Sequence, residues 1–302
     1  MKILVADPAN NITVFVLEYD GNSAKPADIA RAILAEKSLG AEQVGFVIPP
    51  GYSAPGPYAG LWRLEMAGGE FCGNAARSFG LYVARLQELK GWARVFVSVS
   101  GAAAPVLVEA NVELGRARAE MPKPAAIESL VYKDRSLPVL VFEGITHIIA
   151  PDLEAGRDTF FAIKSLAEEQ FSAPGVEAAE LGSGPSGPSA GSGPSSPAAG
   201  SGQSAFSALG VMFYDTASRF LRPAVYVRST DSLVFESSCG SGSAALGVWL
   251  NRDRQEGTAS YGIAQPGGLI ETEVVKKAGK ITGLTIGGKV KLGEPVQFSL
   301  PS

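Results

Sequence analysis

Two short segments constrain this chain more than anything else in it. "GGEFCGNAARSFG" (68–80) and "FESSCGSGSAALG" (235–247) each set a cysteine before a glycine, a small polar residue and a run of Ala, Gly and apolar side chains. They hold the only two cysteines among 302 residues. Strand-like sequence lies on both sides of each segment. The chain therefore reads as two rounds of strands, Cys-Gly turn, helix and strands, an approximate internal duplication of one α/β unit. Beyond the cysteine motifs the halves share little residue identity.

The boundaries expected from this reading are 1–119 for the first half, which 291–302 can join, and 120–290 for the second. "KILVADP" and "ITVFVLEYD" read as strands. A helix is expected from Pro26 to Ser38, with Asp28 in its first turn and Gly40 just past its end. "QVGFVIPP" and "LWRLEM" read as strands. From Gly73 onward Ala75, Ala76, Phe79, Val83 and Leu86 fall at helical spacing. "ARVFVSVS", "APVLVEANVEL" and "GRARAEMP" then read as strands.

In the second half "SLPVLVFEGITHIIAP" reads as strands and "FFAIKSLAEEQF" as a helix. "SALGVMFYDTA" and "PAVYVRSTDSLVFES" are further strands, Cys239 opens a helix through about Arg252, and the chain closes as a β meander. Residues 182–202 contain only Gly, Ser, Pro and Ala. Such a segment cannot bury apolar surface and is expected to be a disordered surface insert without a part in the chemistry.

Apolar residues make up 46% of the chain and charged residues 19%, in the range of a soluble globular protein. A net charge of −4 gives no reason to expect a nucleic-acid or anionic-membrane partner. No apolar run approaches the roughly 20 residues of a membrane span. "MKILVADPANN" has neither the basic start nor the apolar stretch of a signal peptide, so a cytoplasmic location is expected. Two cysteines are too few for a disulfide framework. One histidine and two distant cysteines do not make a zinc site, and no phosphate-binding glycine loop is present. The sequence asks for no cofactor and no metal.

A thiol at the start of a helix sits in the positive end of the helix dipole, beside N–H groups without intrahelical partners. That setting is expected to lower the thiol pKa. The same N–H groups can hold a carboxylate. Two such turns facing one another would grip one carboxylate and set a sulfur on each side of the adjacent carbon. One thiolate could then remove a proton from one face while the opposite thiol delivers one to the other. Either cysteine alone also reads as a buried small hydrophobe; the matched pair favours function.

The pattern resembles the cofactor-independent amino-acid racemases and epimerases of the diaminopimelate epimerase fold. That family implies an α/β (α+β) protein of two pseudo-symmetric domains. Each is a mostly antiparallel sheet or barrel wrapped around a central helix, and the active site lies between them. "CGNAAR" and "SCGSGSAA" resemble the two cysteine motifs, with Cys72 and Cys239 in the acid/base positions and Gly73, Asn74, Gly240 and Ser241 beside the substrate. "ANNITV" matches an N-terminal motif at Asn11, near Thr13. "GAEQV" places Gln43 near the substrate, "GITH" keeps His147, and "QPGGLIETE" resembles a Pro-Gly-Gly strand.

The departures bear on the substrate. The asparagine of one diaminopimelate motif is Ile145 here, another is Gly210, and a Glu-Arg pair that holds a distal carboxylate is replaced by Thr230 and Asp231. A distal carboxylate wants a bidentate arginine, and Asp231 would repel it; Arg228 could restore the role in a shifted register. An acidic pocket suits a neutral or cationic side chain. The "GGEFCGNAAR" approach and Glu236 are similar to the histidine racemases, which supply D-histidine to opine-type metallophore pathways.

The expected function is thus an amino-acid racemase acting on a small-molecule substrate, histidine first, with a homodimer possible. Diaminopimelate epimerase is the alternative within the class. A non-catalytic amino-acid-binding protein is the alternative outside it. Glu65 and Glu236 read either as solvated strand-end carboxylates or as contacts to the substrate ammonium that shuttle the cysteine proton. His147 reads as a core histidine or as a partner tuning one thiol.

Overall fold

The fold alternates strand pairs with four helices, of which two are buried almost all round and two keep an exposed charged face. The computed structural model describes residues 1–18, 25–52, 57–171 and 206–300; the insert expected at 182–202 lies outside the described residues. The first round comprises β1 (Lys2–Asp7), β2 (Thr13–Val16), α1 (Pro26–Ala35), β3 (Gln43–Ile48), β4 (Arg63–Met66), α2 (Gly73–Leu86), β5 (Ala93–Val99), β6 (Val106–Asn111) and β7 (Arg116–Glu120). The second comprises β8 (Ala126–Tyr132), β9 (Arg135–Phe142), β10 (Ile145–Pro151), α3 (Arg157–Phe171), β11 (Ala208–Asp215), β12 (Phe220–Val227), β13 (Ser232–Phe235), α4 (Gly240–Leu250), β14 (Gly257–Gln265), β15 (Gly268–Lys277) and β16 (Lys280–Lys289). Two short strands, β17 (Lys291–Leu292) and β18 (Val296–Gln297), return to pair with β1. The protein is a mixed α+β fold in which strands dominate.

Strand pairing repeats between the rounds. β1 and β2 are antiparallel, β2 and β3 parallel, β3 and β4 antiparallel, and β4 and β5 parallel. β9 and β10 are antiparallel, β10 and β11 parallel, β11 and β12 antiparallel, and β12 and β14 parallel. Each parallel step needs a crossover, which α1, α2, α3 and α4 supply in turn. β7 and β16 pair antiparallel and join the two rounds.

α2 is buried from Gly73 through Ala84, polar residues included, and packs against β5, β6 and β7. α4 is buried almost as completely and packs against β15, β10 and β16. A helix buried all round needs small residues where it crosses a sheet. Gly80, eight residues beyond Cys72, leaves no room for a side chain, since a Cβ there would lie 2.5 Å from Val108 of β6. Gly247, eight residues beyond Cys239, meets Thr272 of β15 in the same way. Phe79, Val83 and Val108 in one core, and Leu246, Ile270 and Val274 in the other, are nearly or fully excluded from solvent. Each such side chain contributes about 1.5–3 kcal/mol.

Three details depart from the sequence reading. The first helix ends at Ala35, and a separate 3-10 turn covers Lys37–Leu39, because extended Glu36 turns its carboxylate onto the Ser38 N–H. β8 is a strand without a sequence signal: most of "AIESLVY" faces solvent. β14 also escaped, because its inward positions include Ala259 and Gln265 in place of large apolar residues.

Candidate active site

Cys72 and Cys239 occupy the same position in their helices. Each is the N-cap, extended at φ −122° and ψ 113° for Cys72 and φ −119° and ψ 114° for Cys239. Each sulfur accepts the N–H of the third residue on, Ala75 or Gly242, at 3.4 Å. A sulfur thus stands where a Ser or Asp oxygen caps an ordinary helix. The residue that follows is glycine in both cases because the two helix starts converge on one side chain. A Cβ on Gly73 would come within 2.8 Å of Ile286 Cδ1, and a Cβ on Gly240 within 2.8 Å of the same atom. Asn74 Oδ1 lies 3.5 Å from the Gly240 Cβ position, so the two motifs share one region.

A run of polar side chains crosses that region. Arg77 Nε donates to Asn74 Oδ1 at 3.1 Å, Asn74 Nδ2 to Asn11 Oδ1 at 3.1 Å, and Asn11 Nδ2 to Glu42 Oε2 at 2.6 Å. Thr13 donates to Gln43 Oε1 at 3.5 Å, and Gln43 hydrogen-bonds the Cys72 sulfur. From the other side Asn10 Nδ2 donates to Ser237 Oγ at 3.3 Å. Gln265, in the "QPGG" turn, accepts the Cys239 N–H at 2.9 Å and donates to Ser243 Oγ at 2.8 Å.

The thiols do not behave as the helix-dipole reasoning predicts. Burial pushes Cys72 up to about 11, outweighing the Ala75 and Asn74 N–H groups that favour its thiolate. Burial likewise drives Cys239 well above its ordinary value, and the neighbouring Glu236 carboxylate adds to the rise. Desolvation of the anion wins over the dipole, so both cysteines rest as thiols. Glu236 keeps part of its surface in water, yet burial around its carboxylate raises its pKa to about 7, with Glu42 pushing the same way and the hydrogen bond to Cys239 opposing. Glu42 is itself raised by burial, while Asn11 and Ser237 hydrogen-bond its carboxylate.

His147 is fully buried and pairs with Ser241 Oγ at 2.8 Å, and Ser241 Oγ lies 3.6 Å from Cys239 Sγ. Burial lowers the histidine to about 3, so it is neutral. Its partner across the parallel β10–β11 pair is Gly210. A Cβ on Gly210 would collide with His147 Nδ1, which accounts for the glycine there.

Other singled-out residues have partners outside the cysteine motifs. Glu65 forms an ion pair with Arg63 on the same strand. Asp231, in a left-handed turn at φ 46°, accepts the Tyr226 hydroxyl at 2.7 Å. Thr230 pairs with Ser232 at 2.7 Å, and Arg228 is engaged by Glu168 and the Phe206 carbonyl. None of these described contacts reaches the cysteine motifs.

Sequence reasoning overlooked Arg77, Glu42 and Gln265. A charged residue among Ala75, Ala76, Ser78 and Phe79 was the available signal for Arg77. A cavity of about 560 Å³ lined by Asp152, Glu154, Phe213, Asp215 and Arg222 includes neither cysteine. Among the described residues no group of His, Cys, Asp and Glu is arranged to hold a metal ion, and no helix is long and apolar enough to cross a membrane.

The fold is shared with solved structures. The chain superposes on a probable proline racemase from Agrobacterium radiobacter K84 with a TM-score of 0.59 at 14% identity, covering 99% of this chain and 93% of that one. It superposes on a hydroxyproline epimerase from Agrobacterium vitis with a TM-score of 0.58 at 12% identity, covering 98% and 91%. These two likenesses are of fold; that the present protein is an isomerase, an amino-acid racemase, rests on its sequence relatives.

Residues 1–180 and 198–294 match the family described as histidine racemase CntK N-terminal domain, and the chain belongs to that family. It is 27% identical to a histidine racemase of Fusobacterium nucleatum subsp. nucleatum over 276 residues, 90% of this chain and 88% of that protein. It is 26% identical to a histidine racemase of Staphylococcus aureus strain Mu50 over 272 residues, 87% and 85%.

Proposed function

We propose that this protein racemises histidine by a two-base mechanism, with Cys72 and Cys239 on opposite faces of Cα. It would be built from two pseudo-symmetric halves, 1–119 with 291–302 and 120–290, each around a central helix, α2 or α4. The observation that carries the reading is the pair of matched cysteine N-caps converging on Ile286. The substrate carboxylate is held by the N–H groups at the two helix starts, Gly73–Asn74 and Gly240–Ser241. Asn11, Gln43 and Thr13 line the same region from the first half.

Since both cysteines rest as thiols, one must lose its proton before it can act as a base. Glu236 supports that step at Cys239. Its carboxylate hydrogen-bonds Cys239 and has a pKa of about 7, so above that pH it is ionised and can accept the thiol proton, a transfer uphill against the higher Cys239 value that leaves a thiolate. The thiolate removes the Cα proton from one face, Cys72 delivers its proton to the other, and the two sulfurs exchange protonation states. Glu42 and Glu236 are two interacting carboxylates in the same region, a setting that suits an α-ammonium and an imidazole better than a second carboxylate. The pathway role, supplying D-histidine for a metallophore, rests on the family.

Incubation of the pure protein with L-histidine in D2O, followed by NMR and chiral chromatography, tests the reading; diaminopimelate serves as the control. Exchange of the Cα proton together with inversion of histidine is expected, with none for diaminopimelate. Cys72→Ser and Cys239→Ser should each lower turnover at least about 10³-fold. No exchange with histidine, or near-full turnover in either variant, would sink the mechanism.

A further inference from the structure

Cys72 has no hydrogen-bonded carboxylate, among the described residues, to match Glu236 at Cys239. Its described partners are the Ala75 and Asn74 N–H groups and Gln43, and the charge acting on it from the loop is Glu70, which opposes a thiolate. Five residues on, in the helix that Cys72 caps, is Arg77. The side chain of Arg77 is fully excluded from solvent. Helical side chains lean toward the N-terminus of their helix, and the guanidinium accordingly reaches back to Asn74, the second residue after Cys72. Nη1 donates to the Lys289 carbonyl at 3.1 Å, and Nη2 has no hydrogen-bond partner.

A buried cation ordinarily has a counter-ion. Among the described residues no carboxylate lies within ion-pair distance of Arg77. The charged groups that face it are Glu271 of β15 and Asp7 of β1, which favour its charge, and Arg116 of β7, which opposes it. Glu271 is already gripped by Arg116 at 2.5 Å, and Lys291 stands 3.8 Å from Asp7. Apart from burial, the largest influence on Arg77 is Cys72 itself.

We propose that Arg77 is the positioning residue of the first thiol: it supplies the buried positive charge against which the Cys72 thiolate forms. Its donor to Asn74 also sets the direction of the hydrogen bonds that run through Asn74 and Asn11 to Glu42. The two cysteines are then activated by different devices, a carboxylate that takes a proton at Cys239 and a fixed cation that stabilises the anion at Cys72. This inference rests on Cys72 acting as a base in the proposed racemisation.

The test is the rate of alkylation of Cys72 by iodoacetamide at pH 8 in a Cys239→Ser background, with thermal melts to establish folding. Arg77→Met should slow alkylation at least about tenfold, the equivalent of one unit in the thiol pKa. Arg77→Lys keeps the charge and should stay within about threefold of the parent. A folded Arg77→Met that alkylates at the parental rate overturns the proposal. So does an Arg77→Lys slowed about tenfold or more, a result that decides the matter alone if Arg77→Met does not fold. Alkylation needs no turnover, so failure to racemise histidine would remove the functional reading and leave this measurement independently interpretable.

Discussion

Glu236→Gln isolates the group on which the proposed chemistry at Cys239 depends. The Glu236 carboxyl holds its proton up to a pH of about 7 in the folded protein, against an ordinary 4.5. Between these values the unfolded chain releases a proton that the folded protein keeps, so the unfolded state binds fewer protons and stability falls as pH rises. The loss begins near 4.5 and is complete above about 7. The gap of about 2.5 pH units, at about 1.36 kcal/mol per unit, sets an upper limit of roughly 3.4 kcal/mol. Glu236 keeps some contact with water, so about half of that is expected.

Urea unfolding of the parent and of Glu236→Gln at pH 5 and pH 8 measures the difference. The variant should be the more stable protein at pH 8, by about 1–2 kcal/mol relative to the difference at pH 5. It should also lose about 10²–10⁴-fold in turnover, because an amide cannot accept the Cys239 proton. Parallel stability profiles for the two proteins between pH 5 and pH 8 would refute the environment assigned to Glu236.

Gly240→Ala should lower turnover more than about tenfold by driving a Cβ against Ile286 Cδ1 and parting the helix starts. Ile286→Val removes the offending atom, and the double variant should recover most of the activity in the same racemisation assay. Gly210→Ala should cost about 1–3 kcal/mol in urea unfolding as the new methyl displaces His147 from Ser241; an unchanged midpoint would contradict the packing. Turnover should show no inflection from His147 above pH 5, since burial holds it at about 3; a step near pH 6.5 abolished by His147→Asn would count against that assignment.

Much of the scaffold was legible in the chain. The N-cap cysteines, the glycine that follows each of them and the apolar spacing of α2 are local signals, because a cap and a helical face are set within about eight residues. β8 and β14 were not legible: one faces solvent, and the other turns small and polar residues inward. Nor was the partner of Asp231 legible. Sequence spacing put it where a distal pocket would be, but Tyr226 on the neighbouring strand holds its carboxylate in a turn.

The sequence by itself determined that two cysteines cap two equivalent helices, since backbone geometry and helix periodicity follow from near neighbours. Only the tertiary structure decided what those cysteines are chemically. Thiol acidity depends on desolvation and on charges brought in from distant segments. Cys72 therefore rests protonated despite its helix, Glu236 changes from a solvated carboxylate into one whose pKa burial raises to about 7, and Arg77 is enclosed without a carboxylate at ion-pair distance among the described residues. Burial outweighs the helix dipole because losing water costs an anion more than two N–H groups return, and that balance exists only once the chain has folded around the site.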